Sequence, residues 1–262
     1  MTTTIALAGK GGVGKTTIAA MVIKHLAQTR SGAILAIDAD PSSNLNMVLG
    51  LDLEWTVGEI REGMLEQVKQ SLGAGGAAMG ALAGGMSKRD FLDYEIRSSV
   101  AEGVKFDLIA MGRSEGPGCY CAVNHNLREV IDSISRNYRY VVIDNEAGME
   151  HLSRRTTRNV EKLLIVTDPT QRGLAAAARI AGFRHELDIE IDEAYLILNG
   201  LAGDAIPAPL QETIDALDIP LLGTVPRDDE LIAFEFSGRP LVELGDNSPV
   251  YRAVAAMIDS IL

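Results

Sequence analysis

The stretch Gly9-Lys10-Gly11-Gly12-Val13-Gly14-Lys15-Thr16-Thr17 constrains this chain more than any other part of it. An apolar run, Ile5-Ala6-Leu7-Ala8, leads into it, and a helix-like pattern from Ile18 to Gln28 leads out. Strand, glycine-rich loop and helix in that order, with the spacing G-x-x-x-x-G-K-[ST], describe a phosphate cradle. Glycines let backbone N–H groups turn inward, the lysine reaches the β- and γ-phosphates, and the next hydroxyl ligates Mg²⁺. Gly11, Gly12, Val13 and Gly14 form the cradle, Lys15 brings the charge, Thr16 faces the metal and Thr17 continues the contact. The helix N-terminus adds its partial positive charge. The ligand this predicts is a nucleoside triphosphate with Mg²⁺.

With 262 residues, the chain has room for one large α/β domain, and no linker justifies a second. A net charge of −12 and an isoelectric point near 4.8 argue against a nucleic-acid surface, which needs clustered Lys and Arg, and against an anionic membrane. Mean hydropathy is +0.10, yet no apolar run approaches the ~20 residues of a membrane span. Met1-Thr2-Thr3-Thr4 has no signal-peptide organisation before the first strand, so a cytoplasmic location is expected.

Along the chain, short continuous apolar runs alternate with helical patterns, as parallel strands covered on both faces do. Ala33 to Ile37 ends in Asp38-Ala39-Asp40-Pro41, and Tyr140 to Ile143 ends in Asp144. Carboxylates at the carboxyl ends of strands beside a phosphate loop are where doubly wound sheets place ligand chemistry. Asp144 fits the position that holds Mg²⁺ directly or through water. Further strands are expected at 106–111, 163–166, 195–198 and 222–225. The expected fold is a single α/β domain, a twisted, mostly parallel sheet of about seven strands with helices on both faces.

Residues from about 52 to 105 break this rhythm. The tract 73–86 is rich in glycine and alanine, too small for a core and too glycine-rich for a stable helix, so an insertion with a mobile segment is expected. Glu59 to Leu72 can be helical, with Ile60, Met64, Val68 and Leu72 on one face.

The two cysteines, Cys119 and Cys121, stand two residues apart. A disulfide at that spacing is strained, so metal or redox chemistry comes forward. Two thiolates can chelate one metal ion but leave a tetrahedral site half filled. A twofold axis near this loop would supply four.

These pieces together resemble the deviant Walker A ATPases, a SIMIBI-like group of P-loop proteins. Its members include the septum-site ATPase, the nitrogenase iron protein, arsenite-pump ATPases and metallocentre-maturation ATPases. The resemblance rests on GKGGVGKTT at 9–17, D-x-D-P at 38–41, C-Y-C at 119–121, D-x-E-A-G-x-E-H-L at 144–152 and V-x-D-P at 166–169. It is strongest to CooC-type ATPases that assist nickel insertion into carbon monoxide dehydrogenase, or to relatives serving acetyl-CoA synthase.

The resemblance implies an ATPase that forms a homodimer, with Lys10 crossing to the partner's nucleotide. Lys10, Lys15 and Asp40 would then be catalytic, Asp40 orienting the attacking water while Asp38 supports it or the metal shell. Thr16 and Asp144 would hold Mg²⁺. Asn199, and the segment Pro226, Arg227, Asp228 through its backbone, would hold adenine. Gly148 would let the second switch respond to the γ-phosphate, and His151 reads as a helix-start or interface residue. Cys119 and Cys121 would bind Ni²⁺ or Zn²⁺ across the dimer, for a nickel-containing client enzyme. The nitrogenase-type iron proteins place a second ligand cysteine just after the second switch, and 148–152 contains none. Two C-x-C pairs could still share a [4Fe–4S] cluster, which keeps electron donation as the alternative.

Overall fold

In β1 (Thr3–Gly9), Ile5 and Leu7 face one side of the sheet and Ala6 and Ala8 the other, and all four are buried. A strand apolar on both faces has to be covered above and below. The computed structural model, which describes residues 2–73, 87–113, 121–146, 159–183, 190–203 and 205–262, shows how the chain does this.

After β1 come α1 (Lys15–Thr29), β2 (Ile34–Asp38), α2 (Leu45–Leu49), α3 (Val57–Gly73), α4 (Lys88–Ser98) and β3 (Ala101–Glu102). Then follow β4 (Phe106–Ala110), α5 (Cys121–Ser135), β5 (Tyr140–Asp144), β6 (Asn159–Thr167) and α6 (Gln171–Phe183). The chain closes with β7 (Glu190–Leu201), α7 (Ala208–Asp215), β8 (Leu221–Pro226), α8 (Asp229–Ser237), a 3₁₀ turn at Leu241–Glu243 and α9 (Pro249–Ile261).

The strands form one eight-stranded sheet in the order β3-β4-β2-β5-β1-β6-β7-β8. Every pairing is parallel except β3 with β4, which is antiparallel at the edge. Seven parallel strands match the expectation, and the eighth, β3, is two residues long, too short to leave a hydrophobic period in the sequence.

One face buries Ala6, Ala8, Leu35 and Ile37 against residues of α3, α4, α5, α6 and α7. The other buries Ile5, Leu7 and Ala36 against α1, α2, α8 and α9. The sheet is therefore a platform clamped on both sides, and its strand ends hold still relative to each other.

The stretch expected as an insertion carries regular structure. Its first helix, α3, starts with a reciprocal cap: Glu59 N donates to Thr56 Oγ1 at 3.3 Å, and Thr56 N donates to Glu59 Oε2 at 2.8 Å. Ile60 and Met64 are buried as the spacing required. Gly58 lets α3 approach closely, since a Cβ there would sit 2.1 Å from the carbonyl oxygen of Arg113. The glycine- and alanine-rich residues 74–86, where mobility is expected, lie outside the described residues.

Candidate functional site

β5 lies between β1 and β2, with Asp144 in register with Leu7 on one side and with Asp38 on the other. Three functional segments leave the sheet at this edge: the glycine loop from β1, the aspartate pair from β2 and Asp144 from β5. This is the carboxyl end of a parallel sheet, where α/β folds bind ligands.

The loop 9–14 has the backbone its sequence requires. Gly12 and Gly14 have φ of 78° and 89°, conformations that favour glycine. A side chain at position 14 would also meet Asn199, whose Nδ2 is 2.3 Å from the place a Cβ would take. Lys15, 7% exposed, donates through Nζ to the carbonyl oxygens of Gly9 and Lys10 at 3.3 and 3.2 Å. Desolvation pushes its pKa down, opposed by the charges of Asp144, Asp40 and Glu146. A cation held by these two loop carbonyls can exchange them for phosphate oxygens. Lys10, by contrast, is exposed.

Thr16 Oγ1 donates to Asp144 Oδ2 at 2.6 Å. The other oxygen of that carboxylate, Oδ1, is buried and has no hydrogen-bond partner. Burial raises the Asp144 pKa to about 7, with Asp38 and Asp40 adding to the rise and Thr16 and Lys15 opposing it. A buried, unpartnered carboxylate oxygen next to a hydroxyl fits a hard divalent cation, which takes oxygen ligands. Thr16 and Asp144 are the residues that would hold Mg²⁺, as the sequence suggested. When bound, Mg²⁺ neutralises charge on the β- and γ-phosphate oxygens.

Asp38 and Asp40 divide the work at the end of β2. Asp38, 1% exposed, accepts from Asp40 N at 3.1 Å and from Leu45 N at 2.9 Å. Its carboxylate thus braces the turn that carries Asp40. Burial raises its pKa to about 6. Asp40 is partly exposed and accepts from Ser42 N at 2.8 Å through Oδ1. The same turn puts Ser43 at φ 46°, a conformation unusual for a residue with a side chain.

At the base side the structure refines the sequence expectation. One amide hydrogen of Asn199, at the end of β7, goes to the carbonyl oxygen of Val13 in the phosphate loop at 2.8 Å. Asn199 therefore ties the end of β7 to the phosphate loop. Asp228 is spent on the protein: Oδ1 accepts from Glu230 N at 2.9 Å, capping α8, and Oδ2 accepts from Ser248 Oγ at 2.6 Å. Arg227 N donates to Leu201 O at 3.3 Å, which ties the segment 226–228 to the end of β7. The hydroxyl of Thr17 is turned toward α8, 3.3 Å from Glu235 Oε1.

Asn145 was not singled out in the sequence. It is 1% exposed, and its Nδ2 donates to Leu7 O at 2.7 Å, tying the start of the second switch to the strand that feeds the phosphate loop. The only hint in the sequence was its place directly after Asp144.

Cys119, Gly148 and His151 lie outside the described residues. Cys121 is the first residue of α5. Its loop leaves β4, the neighbour of β2, so the cysteine segment starts at the same sheet edge as Asp38. Among the described residues no cluster of three or more His, Cys, Asp or Glu is arranged to hold a metal. None of the described helices is long and apolar enough to cross a membrane.

Comparisons with known proteins agree with this geometry. The family model CbiA, described as the CobQ/CobB/MinD/ParA nucleotide binding domain, matches residues 4–241. The chain is 39% identical over 262 residues to the uncharacterized ATP-binding protein MJ0685 of Methanocaldococcus jannaschii, covering 98% of both chains. It is 29% identical to the carbon monoxide dehydrogenase accessory protein CooC of Rhodospirillum rubrum, covering 98% of this chain and 97% of that one. Among solved structures, the septum site-determining protein MinD of Pyrococcus horikoshii, complexed with Mg-ADP, superposes with a TM-score of 0.68 at 22% identity. That match covers 100% of this chain and 96% of the other.

Proposed function

This chain belongs to the CobQ/CobB/MinD/ParA nucleotide-binding family, and on that premise we propose that it is an ATP-driven metallochaperone. In this reading it dimerises with ATP and metal and assists nickel insertion into an enzyme of the carbon monoxide dehydrogenase or acetyl-CoA synthase type. ATP binding and hydrolysis are the family's activity. The metal and client assignments rest on one observation, the C-x-C pair: Cys121 opens α5 after the loop from β4, and β4 pairs with β2, the strand that ends in Asp38. The full-length likeness to the CooC accessory protein supports it.

The residues divide the reaction as follows. Lys15 leaves its carbonyl partners for the β- and γ-phosphates. The main chain of 226–228 and the carbonyl oxygen of Asn199 hold the adenine. Asp40, braced by Asp38, orients a water whose oxygen bonds to the γ-phosphorus as the bond to the β–γ bridging oxygen breaks, leaving ADP and phosphate. Exposed Lys10 reaches the partner's nucleotide and stabilises charge there. Loss of the γ-phosphate relaxes the turn at Asp40 and the segment after Asp144, and the change passes to the thiolate pair that follows β4 in the chain.

The test is sedimentation of protein purified without air, with and without ATP and with Ni²⁺ or Zn²⁺. The reading expects each ligand to raise the dimer population. A monomer under all four conditions overturns it, and a brown, iron-containing dimer replaces it with an electron donor.

A further inference from the structure

We propose that Ser248, at the start of α9, is a positioning residue for the nucleotide base, acting through Asp228 on the loop 226–228. The proposal rests on the reading that this loop holds adenine.

Asp228 is 8% exposed and Ser248 is 1% exposed, so both side chains lie largely out of solvent. Both oxygens of Asp228 are used, one by Glu230 N and one by the Ser248 hydroxyl, the latter at 2.6 Å. That distance is at the short end of the range for a hydroxyl–oxygen hydrogen bond. The Ser248 hydroxyl is thus the donor that lets a buried carboxylate sit directly beside the main chain expected to meet the base. Without it, Asp228 Oδ2 keeps no donor, and the cheapest relief is for the loop to swing toward solvent.

Ser248 is itself held from several directions. Its N donates to Gly245 O at 3.0 Å, its carbonyl accepts from Arg252 N at 3.0 Å, and its Oγ accepts a long bond of 3.4 Å from Tyr251 N. Tyr251 OH donates to Gln28 Oε1 on α1 at 2.5 Å. Lys24 of α1 donates to Leu244 O and pairs with Asp246 at 2.9 Å. Met257 of α9 packs so closely on β8 that a Cβ at Gly223 would sit 2.8 Å from its sulfur. The loop at the base end is therefore referenced, through Ser248 and α9, to α1, the helix whose first residue is Lys15. One helix pair sets the separation between the phosphate end and the base end of the nucleotide.

The probes that separate these ends are ADP and inorganic tripolyphosphate, which offers phosphates without a base. In Ser248→Ala, ADP binding is expected to weaken on the order of tenfold, the scale of one hydrogen bond to a charged group. Tripolyphosphate binding should stay within about twofold of wild type by the same reasoning, and Ser248→Thr should restore ADP binding. kcat/KM for ATP should fall more than kcat. Equal losses for ADP and tripolyphosphate, or unchanged ADP binding in a folded Ser248→Ala, overturn the proposal. If that variant does not fold, Asp228→Asn carries the same comparison, because it weakens the Ser248 bond without stranding a buried charge. Hydrogen exchange at Arg227 and Asp228 in the wild type keeps the two readings apart. No protection by ADP removes the base-loop reading, whereas protection with unchanged ADP affinity in the serine variant removes only the role of Ser248.

Discussion

Thr16 Oγ1 lies 2.6 Å from Asp144 Oδ2, while the second oxygen of the same carboxylate is buried without a partner. The pair is a half-built cation site, and its cost falls on the empty protein. A carboxyl group buried beside another, Asp38, is easier to keep neutral than charged.

That cost has a sign in pH. Burial raises Asp38 to about 6 and Asp144 to about 7, above the ordinary 3.8. Between pH 4 and 7 the folded state then binds more protons than the unfolded state, so this contribution to stability is full below about 4 and lost as pH rises through 6 to 7. Thermal melts of nucleotide-free protein in chelator should show a stability that declines over this window. Asp144→Asn should flatten the decline and be more stable than wild type at pH 8. An equal slope in both proteins contradicts the assignment.

The two lysines of the phosphate loop should be separable. Lys15→Ala removes the charge held by the Gly9 and Lys10 carbonyls and should abolish nucleotide binding. Lys10 is exposed and among the described residues makes no such contact through its side chain, so Lys10→Ala should still bind ATP as a monomer. It should lose hydrolysis and ATP-induced dimerisation. Wild-type turnover in Lys10→Ala would show that this lysine does not act across a dimer.

Much of this site was legible in the sequence because it is local. The glycine loop, the aspartates ending β2 and β5, and the seven parallel strands all follow from spacing and short apolar runs. What was not legible depends on contacts across the sheet. Nothing near Asn199 announces that its amide would reach Val13, 186 residues away. Nor does anything near Asp228 announce that its side chain would be held by the Ser248 hydroxyl, 20 residues away. The roles proposed for Asp38 and Asp40 come from the D-x-D-P resemblance, but the hydrogen bonds from Asp40 N and Leu45 N that make Asp38 the brace of its turn leave no mark in the sequence.

Asp40→Ala should bind ATP, form the dimer and stall. The cradle and the Thr16–Asp144 pair survive, but the water loses its orienting group, a loss of roughly 10²- to 10⁴-fold in kcat. Single-turnover hydrolysis checks this. A normal rate would move the role to Asp38 or Glu146.

The central claim, that nucleotide and cargo metal meet in one dimer, is tested most directly by equilibrium titration of Ni²⁺ or Zn²⁺ into the anaerobic protein, alone and with a non-hydrolysable ATP analogue. Each chain has two cysteines, so the account predicts one ion per two chains, its loss in the Cys119→Ser/Cys121→Ser variant, and a metal affinity that differs between the two nucleotide states. By linkage, metal must change ATP affinity by the same factor. One ion per monomer, unchanged stoichiometry in the double variant, or equal affinity with and without the analogue contradicts it.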